Sequence, residues 1–159
     1  MTTRVNLNEV RHQYEAAMAG VARRIIVCAG TGCVANGSLE VHEALVKAME
    51  GRGLNVMVEL TAHRDGEKAT LVSTSGCQGF CQMGPLVTIE PEGLLYCKVR
   101  TEDVVEIVEK TLIGGEAIGR LLAVDPATGD RCKGTSEIPF YKRQSRTVLD
   151  RKSTRLNSS

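Results

Sequence analysis

Apolar residues recur at alternating intervals of three and four through Leu7, Val10, Tyr14, Ala17 and Val21, which predicts an amphipathic helix starting near Asn6 or Asn8. Gly20 interrupts it. The β-branched run from Arg23 to Val27 then reads as a buried strand and feeds into Cys28-Ala-Gly-Thr-Gly-Cys33. Ser38 offers an N-cap to a second helix, whose Val41, Ala44, Leu45, Ala48 and Met49 share one face before Gly51 and Gly53 stop it. At Val56, Val58 and Leu60 the period becomes two, as in a strand. A further strand over Ala69 to Thr74 runs into Gly76-Cys77-Gln-Gly-Phe-Cys81. Leu86 to Ile89 and Leu94 to Val99 flank Pro91-Glu92-Gly93 and predict a hairpin. Thr101 caps a last helix: Glu102 and Asp103 suit its positive end, Val104, Val105, Val108 and Leu112 form its core face, and Gly114-Gly115 ends it.

Helices interleaved with short strands predict an α/β fold, a mixed sheet with helices packed on it and an extra helix in front. From Ala123 the periodicity is lost. Asp125-Pro126-Ala-Thr-Gly129-Asp-Arg-Cys-Lys-Gly134 reads as linker, and the end is polar and basic through Lys142, Arg143, Arg146, Arg151, Lys152 and Arg155. The closing stretch from Lys152 to Ser159 continues no pattern and is set aside as a non-native tail. The expected organisation is a leading helix over 1–22, a domain over 23–122 and an irregular linker over 123–159.

Composition narrows the function. A length of 159 residues suits one domain with a tail, and 42% apolar with 25% charged residues suits a globular chain. Twenty Lys+Arg against nineteen Asp+Glu leaves +1, so no global field draws the chain to nucleic acid or to a membrane. Aromatics are 3% with no Trp, too few for base-stacking platforms, even with Phe140 and Tyr141 among the C-terminal bases. The longest apolar runs resemble Ile25-Ile26-Val27-Cys28-Ala29, too short for a bilayer span or a signal-peptide core. A cytoplasmic protein is expected. In a reducing compartment its six cysteines read as metal ligands or redox centres before disulfides.

Four of them stand in pairs at strand ends: Cys28-x4-Cys33, then Cys77-x3-Cys81 after a gap of 43 residues. A short loop turns two thiolates toward one point, which a strand with alternating side chains cannot do. Gly30, Gly32, Gly76 and Gly79 are expected to permit positive φ and to let backbone N–H groups face the sulfurs. Such donors stabilise an anionic metal–thiolate site. Four Cys ligands suit an iron–sulfur cluster, and a two-plus-two arrangement suits one loop per iron of a [2Fe–2S] rhomb. They also suit a structural zinc site, although Cys-x2-Cys is the commoner zinc spacing, and a redox disulfide is a third reading. Gly30-Thr-Gly32-Cys-Val-Ala35 fits G-x-G-x-x-A after a strand, with Glu59 placed as a ribose acid, so a dinucleotide site is a fourth. Against it, a helix capped at Ser38 would not be opened by those glycines.

The remaining candidates have plainer readings. Cys97 alternates with Leu95 and Val99, as a buried structural thiol does, and Cys132 lies between Arg131 and Lys133 in a polar stretch and reads as exposed. His12, His42 and His63 share no ligand spacing. Ser73, Thr74 and Ser75 stand close enough in sequence to Cys77 to donate to a cluster sulfur or simply to solvate the loop.

The pattern C-x4-C…C-x3-C on this frame resembles the thioredoxin-like [2Fe–2S] ferredoxins, including the small [2Fe–2S] subunit of respiratory complex I and its relatives in NAD(P)-linked hydrogenases and formate dehydrogenases. The resemblance covers roughly Arg23 to Gly115. Val27-Cys-Ala-Gly-Thr-Gly-Cys33, Gly93-Leu-Leu-Tyr-Cys-Lys-Val99 and Glu137-Ile-Pro-Phe-Tyr-Lys-Arg-Gln144 resemble the N-terminal part of the flavin-bearing NADH subunit of bifurcating or NADP-reducing iron-only hydrogenases. The resemblance implies cluster ligands at Cys28, Cys33, Cys77 and Cys81 and one-electron transfer within an NAD(P)H-linked oxidoreductase. It also implies a cis-proline at Pro85. Its implied partners are a flavin/NADH module and other iron–sulfur subunits. The glycine-rich FMN/NADH loop and the C-x2-C-x2-C run of that subunit have no counterpart here, so FMN and NAD(P)H sites are expected only in a missing or partner module. No substrate turnover is expected of this chain alone.

Overall fold

A computed structural model describes residues 5–59 and 68–144. Helix α1 (Leu7–Ala19) starts where its cap dictates: the Asn6 Oδ1 accepts from the backbone N–H groups of Asn8 and Glu9 at 3.1 and 3.4 Å. None of its residues is buried, so the apolar stripe read from the sequence lies largely in solvent. Strand β1 (Val21–Cys28) is two residues longer at its start than its β-branched run suggests. After it come α2 (Thr31–Ala35), α3 (Ser38–Glu50), β2 (Val56–Met57), β3 (Ala69–Ser75), β4 (Val87–Glu90) and β5 (Leu94–Tyr96). The sheet order is β2-β3-β1-β4-β5, with β1 parallel to β3 and antiparallel to β4.

Val41, Leu45 and Met49 recur every four residues on α3 and pack on one face of the sheet with Ile25, Val27, Val72 and Ile89. The last helix begins as a 3-10 turn (Thr101–Asp103), continues as α4 (Val104–Glu106) and widens into π-type winding over Ile107–Ile113. Its cap is Arg100 rather than Thr101: the Asp103 carboxylate accepts from the Arg100 N–H at 2.8 Å. Ser38 is likewise not a cap. Gly37, at φ 88°, takes that place, and the serine is fully buried as the first residue of α3. The short helix α2, capped by Gly30, went unanticipated because five residues are too few to show a period.

Buried Tyr96 ties β5 to the last helix. Its hydroxyl lies 2.7 Å from the Thr111 Oγ1 and accepts from the Ile118 N–H at 3.0 Å. Replacing Tyr96 by Phe strands that buried N–H, so we expect a loss of about 1–3 kcal/mol. Denaturant unfolding reads it, and an unshifted midpoint would remove this hydrogen bond from the list of stabilising contacts.

The segment expected to be a linker is folded against the domain. Chain beyond Gly119–Leu121 runs along the outer edge of β5: the Cys97 N–H donates to the Leu121 carbonyl and the Leu95 N–H to the Lys133 carbonyl, both at 2.7 Å. A small hairpin of β6 (Ala123–Val124) and β7 (Arg131–Cys132) follows, then α5 (Pro139–Lys142). Edge strands gain by being covered, because open backbone groups then find partners. Cys132, read as exposed, is 5% exposed, in a cluster with Leu95, Cys97, Ala123 and Ile138. Cys97 is buried there as expected. Val99 leaves its expected face for the other cluster, because Lys98 turns the chain at φ 53°. Among the described residues no helix is long and apolar enough to cross a membrane.

Candidate metal centre

Parallel pairing of β1 with β3 explains why two cysteine-bearing loops so far apart in sequence lie side by side. Cys28, the last residue of β1, stands opposite Ser75, the last of β3, so both following loops leave the same end of the sheet. Cys33 then sits in α2, Cys77 just past β3, and Cys81 opens a 3-10 turn (Cys81–Met83). The Ala29 N–H donates to the Ser75 carbonyl at 2.9 Å and stitches the two loops at their base.

The thiols stand as two pairs. Cys77 and Cys81 are exposed with sulfurs 3.7 Å apart, whereas Cys28 and Cys33 are buried. The Cys28 sulfur also lies 3.7 Å from the Gly76 carbonyl of the other loop. Among the described residues no three His, Cys, Asp or Glu side chains gather as one mononuclear ion requires. Burial first, and then Cys28 beside it, pushes the Cys33 thiol up to about 11, while a backbone hydrogen bond from Leu86 pulls the other way. Cys81 is raised by its hydrogen bond to Cys77 and by that neighbour's charge. Paired thiols that resist ionising together give up their protons to solvent when cations bind, because the metal charge cancels the repulsion between thiolates. Such a donor set fits a binuclear iron centre, with two sulfurs for each metal.

The glycines act differently from expectation. Gly30 and Gly32 do not adopt positive φ. Gly30 allows close approach, since a Cβ there would lie 2.8 Å from the Cys77 Cβ, whereas one on Gly32 would lie at an ordinary contact distance of 3.5 Å from the Cys81 Cβ. Gly79 does stand at φ 84°, and its N–H donates to the Cys77 sulfur at 3.4 Å. Gly76 has neither a positive φ nor a neighbour within 4 Å. Sequence reasoning missed Gly84, where a Cβ would lie 2.5 Å from the Cys33 sulfur; its place directly before Pro85, which is cis as the resemblance implied, was the available signal.

Of the other candidates, the Ser75 hydroxyl donates to the Gly76 carbonyl at 3.0 Å and accepts from Gln78, so it serves the loop. The His42 Nε2 lies 3.4 Å from the Val72 carbonyl, His12 is exposed, and His63 lies outside the described residues. Gly30 does cap a helix, against expectation, but α2 has only five residues and Cys77 and Cys81 fill the space that a pyrophosphate would need. Glu59 is exposed beyond the end of the short β2.

The model of the thioredoxin-like [2Fe–2S] ferredoxin family matches residues 6–112. The chain belongs to that family. Its cofactor is a [2Fe–2S] cluster and its work is ferredoxin-type electron transfer. This ferredoxin is 37% identical over 90 residues to a 2Fe-2S ferredoxin of Aquifex aeolicus, spanning 57% of the chain and 71% of the relative. It is 34% identical over 89 residues to that of Clostridium pasteurianum, spanning 56% and 76%. In structure it resembles the wild-type thioredoxin-like [2Fe–2S] ferredoxin of Aquifex aeolicus, with a TM-score of 0.52 and 32% identity over 64% of this chain and 95% of that one. The mixed sheet with flanking helices is thus the thioredoxin-like frame expected from the sequence.

Proposed function

We propose that Cys28, Cys33, Cys77 and Cys81 hold the [2Fe–2S] cluster, one loop pair per iron, and that this ferredoxin carries electrons inside an NAD(P)H-linked oxidoreductase. The observation that carries the ligand assignment is the pairing itself: sulfurs 3.7 Å apart in one loop and two buried thiols in the other, with both loops leaving the same end of two parallel strands. When bound, the cluster supplies one-electron redox chemistry, with a potential set by charge, hydrogen bonds and burial. The protein's part is to present four thiolates, to bury Cys28 and Cys33 away from water, and to aim the Gly79 N–H at the Cys77 sulfur. The exposed pair, Cys77 and Cys81, marks the side where a redox partner approaches.

Support for the NAD(P)H link comes from the resemblance of Gly93 to Val99 and Glu137 to Gln144 to the flavin-bearing hydrogenase subunit. On this reading residues 23–122 are the ferredoxin module of a cytoplasmic assembly, and its partners are a flavin/NADH module and further iron–sulfur subunits of a hydrogenase, formate dehydrogenase or complex I-like enzyme. Anaerobic purification followed by iron and acid-labile sulfide analysis tests the cluster reading. We expect about two of each per chain and a rhombic EPR signal after dithionite; a colourless protein with about one zinc and no sulfide would overturn it. NADH or NADPH should reduce the cluster only when a flavin module is added, and no reduction by any such module would sink the NAD(P)H link.

A further inference from the structure

Beyond the family's matched span, α5 packs its aromatic side chains onto the loop between Cys77 and Cys81. Phe80 stacks on Phe140 with ring centroids 4.9 Å apart, and Tyr141 meets both rings edge-on at 5.6 and 5.1 Å. This trio holds Tyr141 so that its hydroxyl donates to the Gln78 carbonyl at 3.2 Å. The same peptide unit carries the Gly79 N–H, which donates to the Cys77 sulfur at 3.4 Å. Tyr141, one peptide and one thiol therefore form a continuous chain: O–H to O=C, then N–H to sulfur.

We propose that Tyr141 is a positioning residue that tunes the cluster through the Gln78–Gly79 peptide. A hydrogen bond accepted by a carbonyl polarises its amide and strengthens the N–H as a donor, since linked hydrogen bonds reinforce each other. A stronger donor at a ligand sulfur favours the more negative, reduced state and raises the reduction potential. The proposal rests on the assignment of Cys77 as a ligand. It gives the C-terminal segment a task in the redox site.

The test is the Tyr141→Phe variant of the full chain, reconstituted with its cluster, with iron content, EPR spectrum and midpoint potential measured beside the unmodified protein. Ring packing survives this change and only the O–H is lost. We expect unchanged iron content and a fall of about threefold in the reduction equilibrium constant, about 30 mV for a one-electron couple. A second variant, Tyr141→3-fluorotyrosine, makes the phenol a better donor and should raise the potential at about pH 6, where the phenol keeps its proton. An unmoved or raised potential in Tyr141→Phe with a full cluster overturns the proposal. Should Tyr141→Phe fail to load, the fluorinated variant decides alone: a rise supports the relay, and no rise overturns it. Cys77→Ser reports separately on the ligand assignment. If its spectrum equals that of the unmodified protein, the assignment itself fails. If that spectrum changes while the Tyr141 variants leave the potential still, the assignment stands and the relay falls.

Discussion

Removing both thiols of one loop, by Cys77→Ala with Cys81→Ala, is expected to cut bound iron and acid-labile sulfide by about tenfold or more and to abolish the rhombic EPR signal. The physical reason is stoichiometric: on the proposed assignment each iron draws its protein ligands from one pair, and the sulfurs of the second loop stand 3.7 Å apart. Cys28→Ala with Cys33→Ala should do the same from the buried side. The comparison that gives the result its meaning is Cys97→Ala with Cys132→Ala. Those two thiols are buried in the same cluster as Cys28 and Cys33, together with Leu95, Ala123 and Ile138. Burial pushes the Cys97 thiol up to about 11 and raises Cys132 as well, as it does for inert structural thiols. Their loss should cost about 1–3 kcal/mol of stability and leave iron content intact. Iron retained after loss of Cys77 and Cys81, or lost with Cys97 and Cys132, would reassign the ligands.

Gly30→Ala is expected to be nearly as damaging although it removes no ligand. Its Cβ would meet the Cys77 Cβ at 2.8 Å and the Cys77 Cα at 2.9 Å, and a backbone atom cannot step aside as a side-chain tip can. The two loops must part, and overpacking of this kind costs about 1–3 kcal/mol before any effect on the metal. The sulfurs would part with the loops, so we expect cluster loading to fall severalfold and bound cluster to be lost faster to a chelator. Gly84→Ala, with its Cβ 2.5 Å from the Cys33 sulfur, should behave alike. Gly76→Ala, with nothing within 4 Å, should load normally. Equal loading across all three variants would show that close approach at Gly30 and Gly84 does not hold the loops together.

Much of the frame was legible because the relevant signals are periodic and local. Val41, Leu45 and Met49 announce the buried face of α3 at helical spacing, and Asn6 caps α1 where a short polar side chain can reach free N–H groups. Boundaries were less legible where two capping arrangements compete. Ser38 has the chemistry of a cap, yet Gly37 reaches the left-handed conformation that ends one turn and begins the next. The C-terminal segment was misread because its anchors, Cys132, Ile138 and Tyr141, are isolated apolar residues in a polar stretch. Their burial depends on an edge strand and a loop distant in sequence.

The chain's one-dimensional pattern determined the α/β class, the buried face of α3 and the two spaced cysteine pairs, since each depends on neighbours a few residues away. Tertiary structure alone decided that the two loops lie together, because parallel pairing of β1 and β3 sets both at one end of the sheet. It also decided which glycines matter: Gly30 and Gly84 matter for the atoms facing them and Gly79 for its backbone angle, while Gly76 has neither. Only folding, finally, could bring the Tyr141 hydroxyl to the peptide that faces Cys77. A contact across 63 positions has no local signature, because it is made by the packing of elements whose separate patterns carry no information about each other.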